Sequence, residues 1–313
     1  MMTRRQVLAS FAVACAARAA QDQETVFRVD VRLVRILATV KTNSGELVGN
    51  LQKEDFSIFD NGVPQEIAVF EHHTEQPLSI AILIDTSSST GIELRYEVQS
   101  VTRFLRALFA SGNPQDAVEL YSFDADTTLL VPFTRRLDRL ERELKGLKGS
   151  GGTSLYDAVC FAAERLQQRE GRHVLVVITD GGDTTSAKTF HQALEAAQMA
   201  DAVIYPILVM PITNDPGRNI GGENALTLMA QNTGGRVFAP SLGPALDQAF
   251  TEILRDLRTQ YLIGYYPKDV PPSKDRFHRI QIKVNRPDLR VLARSGYYET
   301  SEENRGWKPV REE

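Results

Sequence analysis

The stretch Leu78-Ser79-Ile80-Ala81-Ile82-Leu83-Ile84-Asp85-Thr86-Ser87-Ser88-Ser89 changes character at its centre. Its first seven residues are almost all apolar and include three isoleucines, which predicts a strand that is buried on both faces. Three oxygen-bearing side chains then follow at alternate positions, at Asp85, Ser87 and Ser89. On a turning loop this spacing can direct all three side chains at one point, as a small hard cation requires. The sequence therefore predicts a buried strand that ends in a cation-binding loop.

Predicted strands and helices alternate from Pro77 to Leu257. The predicted strands are 78–84, 117–123, 129–131, 173–180, 202–209 and 236–238. The predicted helices are 98–109, 137–147, 155–166, 186–199, 225–231 and 245–257. This alternation indicates βαβ units, and it predicts an α/β fold with a doubly wound, mainly parallel sheet.

Shorter groups of predicted strands lie on both sides of this region. Residues 25–73 form a small antiparallel unit with a hairpin turn at Asn61-Gly62, and residues 261–266, 279–284 and 290–294 are three later strands. Each group has too few strands for a core of its own. We therefore expect the two groups to complete one small antiparallel β-sandwich, with the α/β domain inserted between its halves. Two separate β appendages are the alternative.

Length and composition fit a soluble globular protein of two units. The chain has 313 residues, of which 42% are hydrophobic and 24% are charged. Its formal net charge of −4 gives no general basic surface, so we expect no nucleic-acid partner. The predicted parts are a signal peptide (1–20), the first half of the sandwich (25–76), the α/β domain (77–257), the second half of the sandwich (258–300) and a disordered polar tail (301–313).

The first twenty residues resemble an export signal of the twin-arginine type. Arg4-Arg5 precedes an apolar run at 7–17, and Ala17-Arg18-Ala19 offers a cleavage site between small residues. The run has about eleven residues, whereas a membrane-spanning helix needs roughly 20. No later segment reaches that length. The sequence therefore predicts an exported protein, periplasmic or extracellular, with no transmembrane segment.

The positions of the two cysteines fit a chain whose predicted signal peptide is removed on export. Cys15 lies within the predicted signal, and lipid attachment there is disfavoured because Ala12 stands where a branched aliphatic residue is needed. Only Cys160 remains after cleavage, which excludes an intramolecular disulfide in the mature chain. Cleavage also removes three arginines and moves the formal charge from −4 to −7.

The candidate site follows from the predicted topology. In an open α/β sheet, ligands bind beyond the carboxyl ends of the strands. Asp85 and Asp180 each end a predicted buried strand, and Thr153 follows two glycines at the start of a predicted helix. Together with Ser87 and Ser89 they would supply two carboxylates and three hydroxyls. This donor set favours Mg²⁺, Mn²⁺ or Ca²⁺ over soft metals.

Each piece of this site also has an ordinary explanation. Thr153 or Ser154 would cap the predicted helix that follows them, serines after a strand commonly cap helices too, and the sequence 180–182 is typical of a turn. The joint order of the pieces favours the metal interpretation: a strand and Asp-x-Ser-x-Ser, then Gly-Gly-Thr-Ser, then a second strand and Thr-Asp-Gly-Gly.

This order resembles the metal-ion-dependent adhesion site of von Willebrand factor type A (VWA) domains, and residues 77–257 are similar to a complete domain of that family. The resemblance implies that the first aspartate and the two serines hold the metal directly. It also implies that Thr153 and Asp180 bind it directly or through water, and that one coordination position stays open for a partner's carboxylate. Across most of the chain, segments 54–62, 261–265 and 294–297 are similar to the VWFA-related family frequent in acidobacterial genomes.

The resemblance implies an exported binding protein that captures a protein ligand presenting Asp or Glu through a divalent cation, Mg²⁺ first. A metal-stabilised structural scaffold of an envelope assembly is the alternative, and a metal-dependent hydrolase is a further one. We expect no enzymatic activity, because the chain has no Gly-x-Ser-x-Gly elbow and its histidines show no spacing for zinc or a catalytic triad. Those histidines are His72, His73, His173, His191 and His278.

Overall fold

The buried strand at Leu78–Asp85 lies at the centre of a five-stranded sheet. The computed structural model describes residues 33–72, 76–87, 94–149, 151–209, 219–241 and 243–299. The strands of the described ranges are β1 (Val34–Thr42), β2 (Phe56–Asp60), β3 (Val63–Gln65), β4 (Ile67–Glu71), β5 (Leu78–Asp85), β6 (Ala117–Phe123), β7 (Thr127–Thr134), β8 (Arg172–Thr179), β9 (Ala202–Leu208), β10 (Tyr261–Tyr265), β11 (Phe277–Val284), β12 (Leu289–Leu292) and β13 (Gly296–Tyr298). The helices are α1 (Leu94–Ser111), α2 (Leu137–Lys145), α3 (Leu155–Leu166), α4 (Phe190–Met199), α5 (Ile220–Thr233) and α6 (Pro244–Arg258).

The five-stranded sheet has the order β7-β6-β5-β8-β9. All of its pairs are parallel except β6–β7. Every residue of β5 and β8 is buried, because apolar side chains of α1, α2 and α6 cover one face of the sheet and those of α3, α4 and α5 cover the other. The predicted doubly wound, mainly parallel sheet is confirmed.

Two antiparallel four-stranded sheets form the β-sandwich. Their orders are β12-β1-β10-β4 and β13-β11-β2-β3, so each sheet contains strands from before and from after the α/β domain. β1 pairs with β10, and β2 pairs with β11. The chain thus leaves the sandwich after β4 and returns to it at β10. The predicted insertion into one sandwich is confirmed, and the alternative of two separate appendages is wrong.

Aromatic rings fill the core between these two sheets. Phe56 of one sheet lies 5.2 Å from Tyr261 and 5.6 Å from Phe70 of the other sheet, measured between ring centroids. The Tyr261 hydroxyl donates to the carbonyl of Val48 and accepts a hydrogen bond from the main-chain N–H of Leu51. This tyrosine therefore joins the aromatic core to the loop between β1 and β2.

A buried carboxylate, Asp60, also connects the two sheets. Its Oδ2 accepts hydrogen bonds from the hydroxyls of Tyr265 (2.8 Å) and Tyr297 (2.9 Å), and Oδ1 lies 3.2 Å from Nδ1 of His278. Burial and the bonds to this carboxylate raise the pKa of both tyrosines above their ordinary value. Three partners thus satisfy one buried charged group, which is the condition for placing it in a core.

Several predicted element boundaries differ from those observed. The helix predicted at 186–199 begins at Phe190, because the Asp157 carboxylate accepts the N–H groups of Ala187 (2.9 Å) and Lys188 (2.7 Å) and holds them outside the helix. Thr189 then caps the helix by accepting from the N–H of Gln192.

Three smaller differences concern strands. The predicted strand 236–238 is a single parallel bridge between Phe238 and Ile207. The hairpin turn at Asn61-Gly62 is present, with φ values of 46° and 84°, but its return strand β3 has only three residues before the chain crosses to the other sheet as β4. Strand β13 was not predicted.

Within the described ranges, no helix has both the length and the apolar character that crossing a bilayer requires. The predicted signal peptide with Cys15 and the predicted tail lie outside those ranges.

Candidate metal centre

The two predicted carboxylates follow neighbouring strands of the central sheet. Ile84 of β5 is in register with Ile178 of β8, so Asp85 at the end of β5 lies level with Thr179, and Asp180 comes next. The Thr179 hydroxyl donates a 2.6 Å hydrogen bond to Oδ2 of Asp85. The carboxyl edge of the sheet therefore brings Asp85 and Asp180 to adjoining positions, as the parallel topology predicts.

The Asp85 carboxylate is fully buried. Its Oδ1 accepts a 2.9 Å hydrogen bond from the main-chain N–H of Ser87, and the Ser87 hydroxyl bonds to it as well. Burial raises the pKa of Asp85 to about 6, and the Asp180 charge adds to this rise, while the hydrogen bonds from Thr179 and Ser87 oppose it. A buried carboxylate beside a second one favours a positive charge at this point.

Thr153 is tied to the loop that carries Asp180. Its N–H donates to the Thr184 hydroxyl (2.9 Å), and its carbonyl accepts from the N–H groups of Thr184 (2.8 Å) and Thr185 (3.1 Å). The side chain of Thr153 is buried. The segment before α3 and the loop after β8 are thus joined by three hydrogen bonds.

Ser154 occupies the N-cap position of α3 but does not cap it with its side chain. Its hydroxyl donates to the carbonyl of Ala125 (2.6 Å) and shares a 2.8 Å hydrogen bond with the Thr185 hydroxyl. Its N–H donates to the carbonyl of Asp124 (2.6 Å). The capping explanation is therefore wrong for Ser154, which instead fixes the loop after β6.

The loop after β5 approaches the same region. The N–H of Thr86 donates to the carbonyl of Phe123 (2.9 Å). Gly149 lies so close to this loop that a Cβ there would be 2.7 Å from the Thr86 carbonyl oxygen. Four loops, those after β5, β6 and β8 and the one before α3, are consequently held together at one edge of the sheet.

The first turn of α5 packs against the Asp180 loop. Gly181 has φ of 99°, so residues 180–182 do form a turn, as their composition suggests. A Cβ on Gly222 would lie 1.4 Å from the Gly181 carbonyl oxygen, so only glycine fits there. Asn219 caps the helix by accepting a 2.9 Å hydrogen bond from the N–H of Gly222.

Four of the five predicted ligands, Asp85, Ser87, Thr153 and Asp180, lie on these joined loops. The fifth, Ser89, is outside the described residues. In the described ranges, no three His, Cys, Asp or Glu side chains group as a metal site, so the predicted centre depends on hydroxyl ligands beside its two carboxylates. Carboxylate and hydroxyl oxygens suit a hard divalent cation, and the buried position of Asp85 fits such a charge.

Thr179, the residue that bonds to Asp85, has no role predicted from the sequence. Its hydroxyl also accepts a 3.1 Å hydrogen bond from the N–H of Gly181, so it joins the carboxylate to the turn after Asp180. The residue was visible in the motif Thr-Asp-Gly-Gly, but its role depends on the register between β5 and β8.

Other reactive side chains have structural roles. The buried His173 ring contacts the carbonyls of Ala200 (2.5 Å) and Arg169 (3.0 Å). Burial raises the pKa of the Cys160 thiol to about 11, which keeps it protonated. The acidic pair after β6 closes a turn, in which Asp124 accepts a hydrogen bond from the N–H of Asp126. His73 lies outside the described residues.

Residues 80–182 match a family model described as the von Willebrand factor type A domain. Among solved structures, the chain is similar to the conserved hypothetical protein BatB from Bacteroides thetaiotaomicron, with 19% identity, a TM-score of 0.47 and coverage of 58% of this chain and 100% of that one. It is also similar to the vWF domain of the type V pili tip protein Mfa5 from Porphyromonas gingivalis, with 15% identity, a TM-score of 0.49 and coverage of 59% and 97%. No curated protein matches the chain.

Proposed function

Because the chain contains a von Willebrand factor type A domain over residues 80–182, we propose that it captures a protein partner through a divalent cation. Mg²⁺ is the first choice, with Mn²⁺ and Ca²⁺ as alternatives. The residues that would hold the ion are Asp85, Ser87, Ser89, Thr153 and Asp180. The carboxylate of an Asp or Glu side chain of the partner would complete the coordination shell.

The observation that supports this proposal is the buried Asp85 carboxylate beside Asp180. When bound, a divalent cation supplies a double positive charge and a coordination position for an incoming acid. Two carboxylates balance that charge, and the hydroxyl ligands add none, so a further acidic group is still attracted. Without a cation, burial and like charge oppose ionisation of Asp85.

The residues around the carboxylates prepare the centre for the ion. Thr179 and Ser87 donate hydrogen bonds to Asp85, which orients its two oxygens. Residues that orient metal ligands in this way commonly change metal affinity 10- to 100-fold when they are replaced. The bonds between Thr153 and Thr184 hold the segment before α3 on the loop that carries Asp180.

We also propose that the protein is exported and acts by binding rather than by catalysis. The Thr179 hydroxyl and the main-chain amide of Ser87 donate hydrogen bonds to both oxygens of Asp85, which holds this carboxylate in place as a ligand. An acidic partner needs one open coordination position, whereas a purely structural ion would have a closed shell of protein ligands.

The test begins with metal binding by the full chain. After treatment with EDTA, the protein is titrated with Mg²⁺ in a calorimeter, and then incubated with an envelope extract in Mg²⁺ or in EDTA. We expect one bound ion per chain. We also expect the chain to retain a partner protein from the extract in Mg²⁺ but not in EDTA. Asp85→Ala should abolish both, while Asp126→Ala, which removes an exposed carboxylate from a neighbouring loop, should abolish neither.

Each other outcome has a definite meaning. Partner retention that survives both EDTA and Asp85→Ala contradicts the proposal. An ion that binds and raises the unfolding temperature without any retained partner indicates the scaffold role. Mg²⁺-dependent turnover of ester, phosphate or peptide substrates that is lost in Asp85→Ala indicates the hydrolase.

A further inference from the structure

A cavity lies between the α/β domain and the sandwich, at the edge of the central sheet opposite the candidate metal centre. β8 begins there at Arg172, and Asp201 precedes β9. The sandwich contributes Arg35 of β1 and Arg294, which precedes β13. The cavity volume that the centre of a water molecule can occupy is about 30 Å³. A single water needs roughly 10–15 Å³ of this volume. Three guanidinium groups and one carboxylate therefore line a space larger than a single water.

Arg172 is buried, and its guanidinium has no carboxylate partner in the described part of the chain. Its guanidinium donates to the main-chain carbonyls of Gln76 (3.3 Å) and Leu257, and among the described residues no carboxylate lies within ion-pair distance of it. Burial lowers the pKa of Arg172 to about 10, although the charge of Asp116 opposes this shift. The Leu257 carbonyl belongs to the last turn of α6, whose dipole offsets only part of a full charge.

Arg294 and Arg35 add to the positive charge. Arg294 is nine-tenths buried, pairs with Asp201 and donates to the main-chain carbonyl of Arg35, yet its Nε–H has no acceptor in the described part of the chain. Arg35 is exposed and makes no ion pair with the described residues, so the cavity reaches solvent beside a free guanidinium. A buried donor without an acceptor is costly, and so is an uncompensated buried charge.

We infer that this cavity binds a small oxyanion, of which inorganic phosphate is the simplest example. The planar guanidinium fork matches the oxygen spacing of an oxyanion and makes charge-assisted hydrogen bonds to it. Three arginines face one aspartate, so a bound anion would offset the excess positive charge. It would also link Arg172 of the α/β domain to Arg35 and Arg294 of the sandwich. This inference does not depend on the proposed metal centre.

Equilibrium dialysis of the full chain against radiolabelled phosphate tests the inference. EDTA is present throughout, which removes any phosphate bound through a cation at the other edge of the sheet. We expect saturable binding of one phosphate per chain, displaced by sulfate. Arg35→Gln removes an exposed group and should leave the unfolding temperature unchanged while weakening phosphate binding about ten-fold. Arg279→Gln, which removes an exposed arginine elsewhere on the sandwich, should leave binding unchanged.

Arg172→Gln provides a second variant on the other side of the cavity, and circular dichroism establishes whether it is folded. If it is folded, we expect its phosphate binding to be weakened at least as much as in Arg35→Gln. Absence of saturable binding overturns the inference, and so does equal weakening by Arg35→Gln and Arg279→Gln. Displacement of phosphate by an equal concentration of chloride overturns the assignment to an oxyanion.

Discussion

Asp85 is the residue at which folding and the proposed metal binding oppose each other. Burial raises its pKa from 3.8 to about 6, so the fold favours the protonated form. The stability that this group contributes is fully present below its unfolded-state pKa and is lost as the pH rises through about 6. At neutral pH the metal-free protein therefore contains a destabilising negative charge, which a cation would offset.

Asp85→Asn should for this reason raise the unfolding temperature of the EDTA-treated protein at about pH 7.5, and the gain should shrink toward about pH 4.5. Asparagine keeps an oxygen for the Ser87 N–H but has no charge to bury. In saturating Mg²⁺ the order should reverse, since only the wild type gains stability from the ion. Calorimetric scans at both pH values, with and without Mg²⁺, provide the measurement. A variant less stable than the wild type in EDTA at the higher pH would falsify this account.

Thr179→Val should weaken Mg²⁺ binding about ten-fold or more, because it removes the hydroxyl that orients Asp85 Oδ2 and replaces it with a methyl group of similar size. Isothermal titration gives the affinity. Thr128→Val makes the same chemical change at an exposed position of β7 and serves as the control. Equal affinities for the wild type and Thr179→Val would show that the hydroxyl has no part in the centre.

At the scale of residues, Asp85, Ser87, Thr153 and Asp180 could be proposed as metal ligands from the sequence. The reason is that the carboxyl ends of parallel strands meet at one edge of the sheet. It did not allow the roles of Thr179 or Thr184 to be assigned. Those roles come from strand register and from loop contacts between segments that are distant in the chain, and neither leaves a local pattern.

At the scale of elements, two adjacent glycines in the first turn of α5 differ in their surroundings. Gly222 touches the Gly181 carbonyl oxygen, whereas a Cβ on Gly221 would meet its nearest neighbour, Asn219 Oδ1, at 3.4 Å. Gly222→Ala must therefore push the helix away from the turn that carries Asp180. Gly221→Ala adds a methyl group with little obstruction.

We expect Gly222→Ala to lower the free energy of unfolding by about 1–3 kcal/mol through overpacking and to weaken Mg²⁺ binding. Gly221→Ala should leave binding unchanged and stabilise the helix by up to about 1 kcal/mol, since alanine is the better helix former. Urea denaturation and metal titration of the matched pair measure both effects. Similar behaviour of the two variants would refute the proposed contact between α5 and the turn.

Elements with a strong local pattern could be predicted, and those set by tertiary contacts could not. β5 and β8 are apolar throughout because helices cover both faces of the sheet. The start of α4 was misplaced because the Asp157 carboxylate binds the preceding N–H groups. β13 was missed because it has three residues and exists through pairing with β11, where Gly296 lies so close that a Cβ would be 2.2 Å from the His278 carbonyl oxygen.

At the scale of the whole molecule, a buried ion cluster fastens α6 to the sandwich. Asp256 of α6 is almost fully buried and accepts from Lys41 Nζ of β1 (2.9 Å) and from Arg236 Nε (2.8 Å). Arg236 also pairs with Glu252 of the same helix. The α/β domain and the sandwich are thus joined by charged groups shielded from water as well as by the covalent connections.

Asp256→Asn should lower the free energy of unfolding by roughly 3 kcal/mol, the lower end of the range for breaking a buried pair, because Lys41 and Arg236 are only partly exposed but Arg236 keeps Glu252. Asp247→Asn on the same helix breaks a half-exposed pair with Arg103 and should cost about 0–1 kcal/mol. Chemical denaturation of the two variants gives the comparison. A cost below about 1 kcal/mol for Asp256→Asn would mean that the cluster contributes little.

The insertion of one domain into the other was predictable from a shortage of strands. Neither the early nor the late group could form a core, so the two had to combine. Which strands pair could not be predicted, because register between segments separated by a whole domain has no local signal.

The mixed strand order of the sandwich has a consequence for synthesis. The Leu51 N–H and the Tyr261 hydroxyl that bond to each other are 210 residues apart, and each sheet needs strands from both ends of the chain. Until β10 has been translated, β1 and β4 have no partner strand and β2 has only β3, although every described strand and helix of the α/β domain has already been made. The sandwich is therefore the last part of the protein that can be completed, and a message cut short after α6 would yield a chain with every described element of the α/β domain and with unpaired β edges.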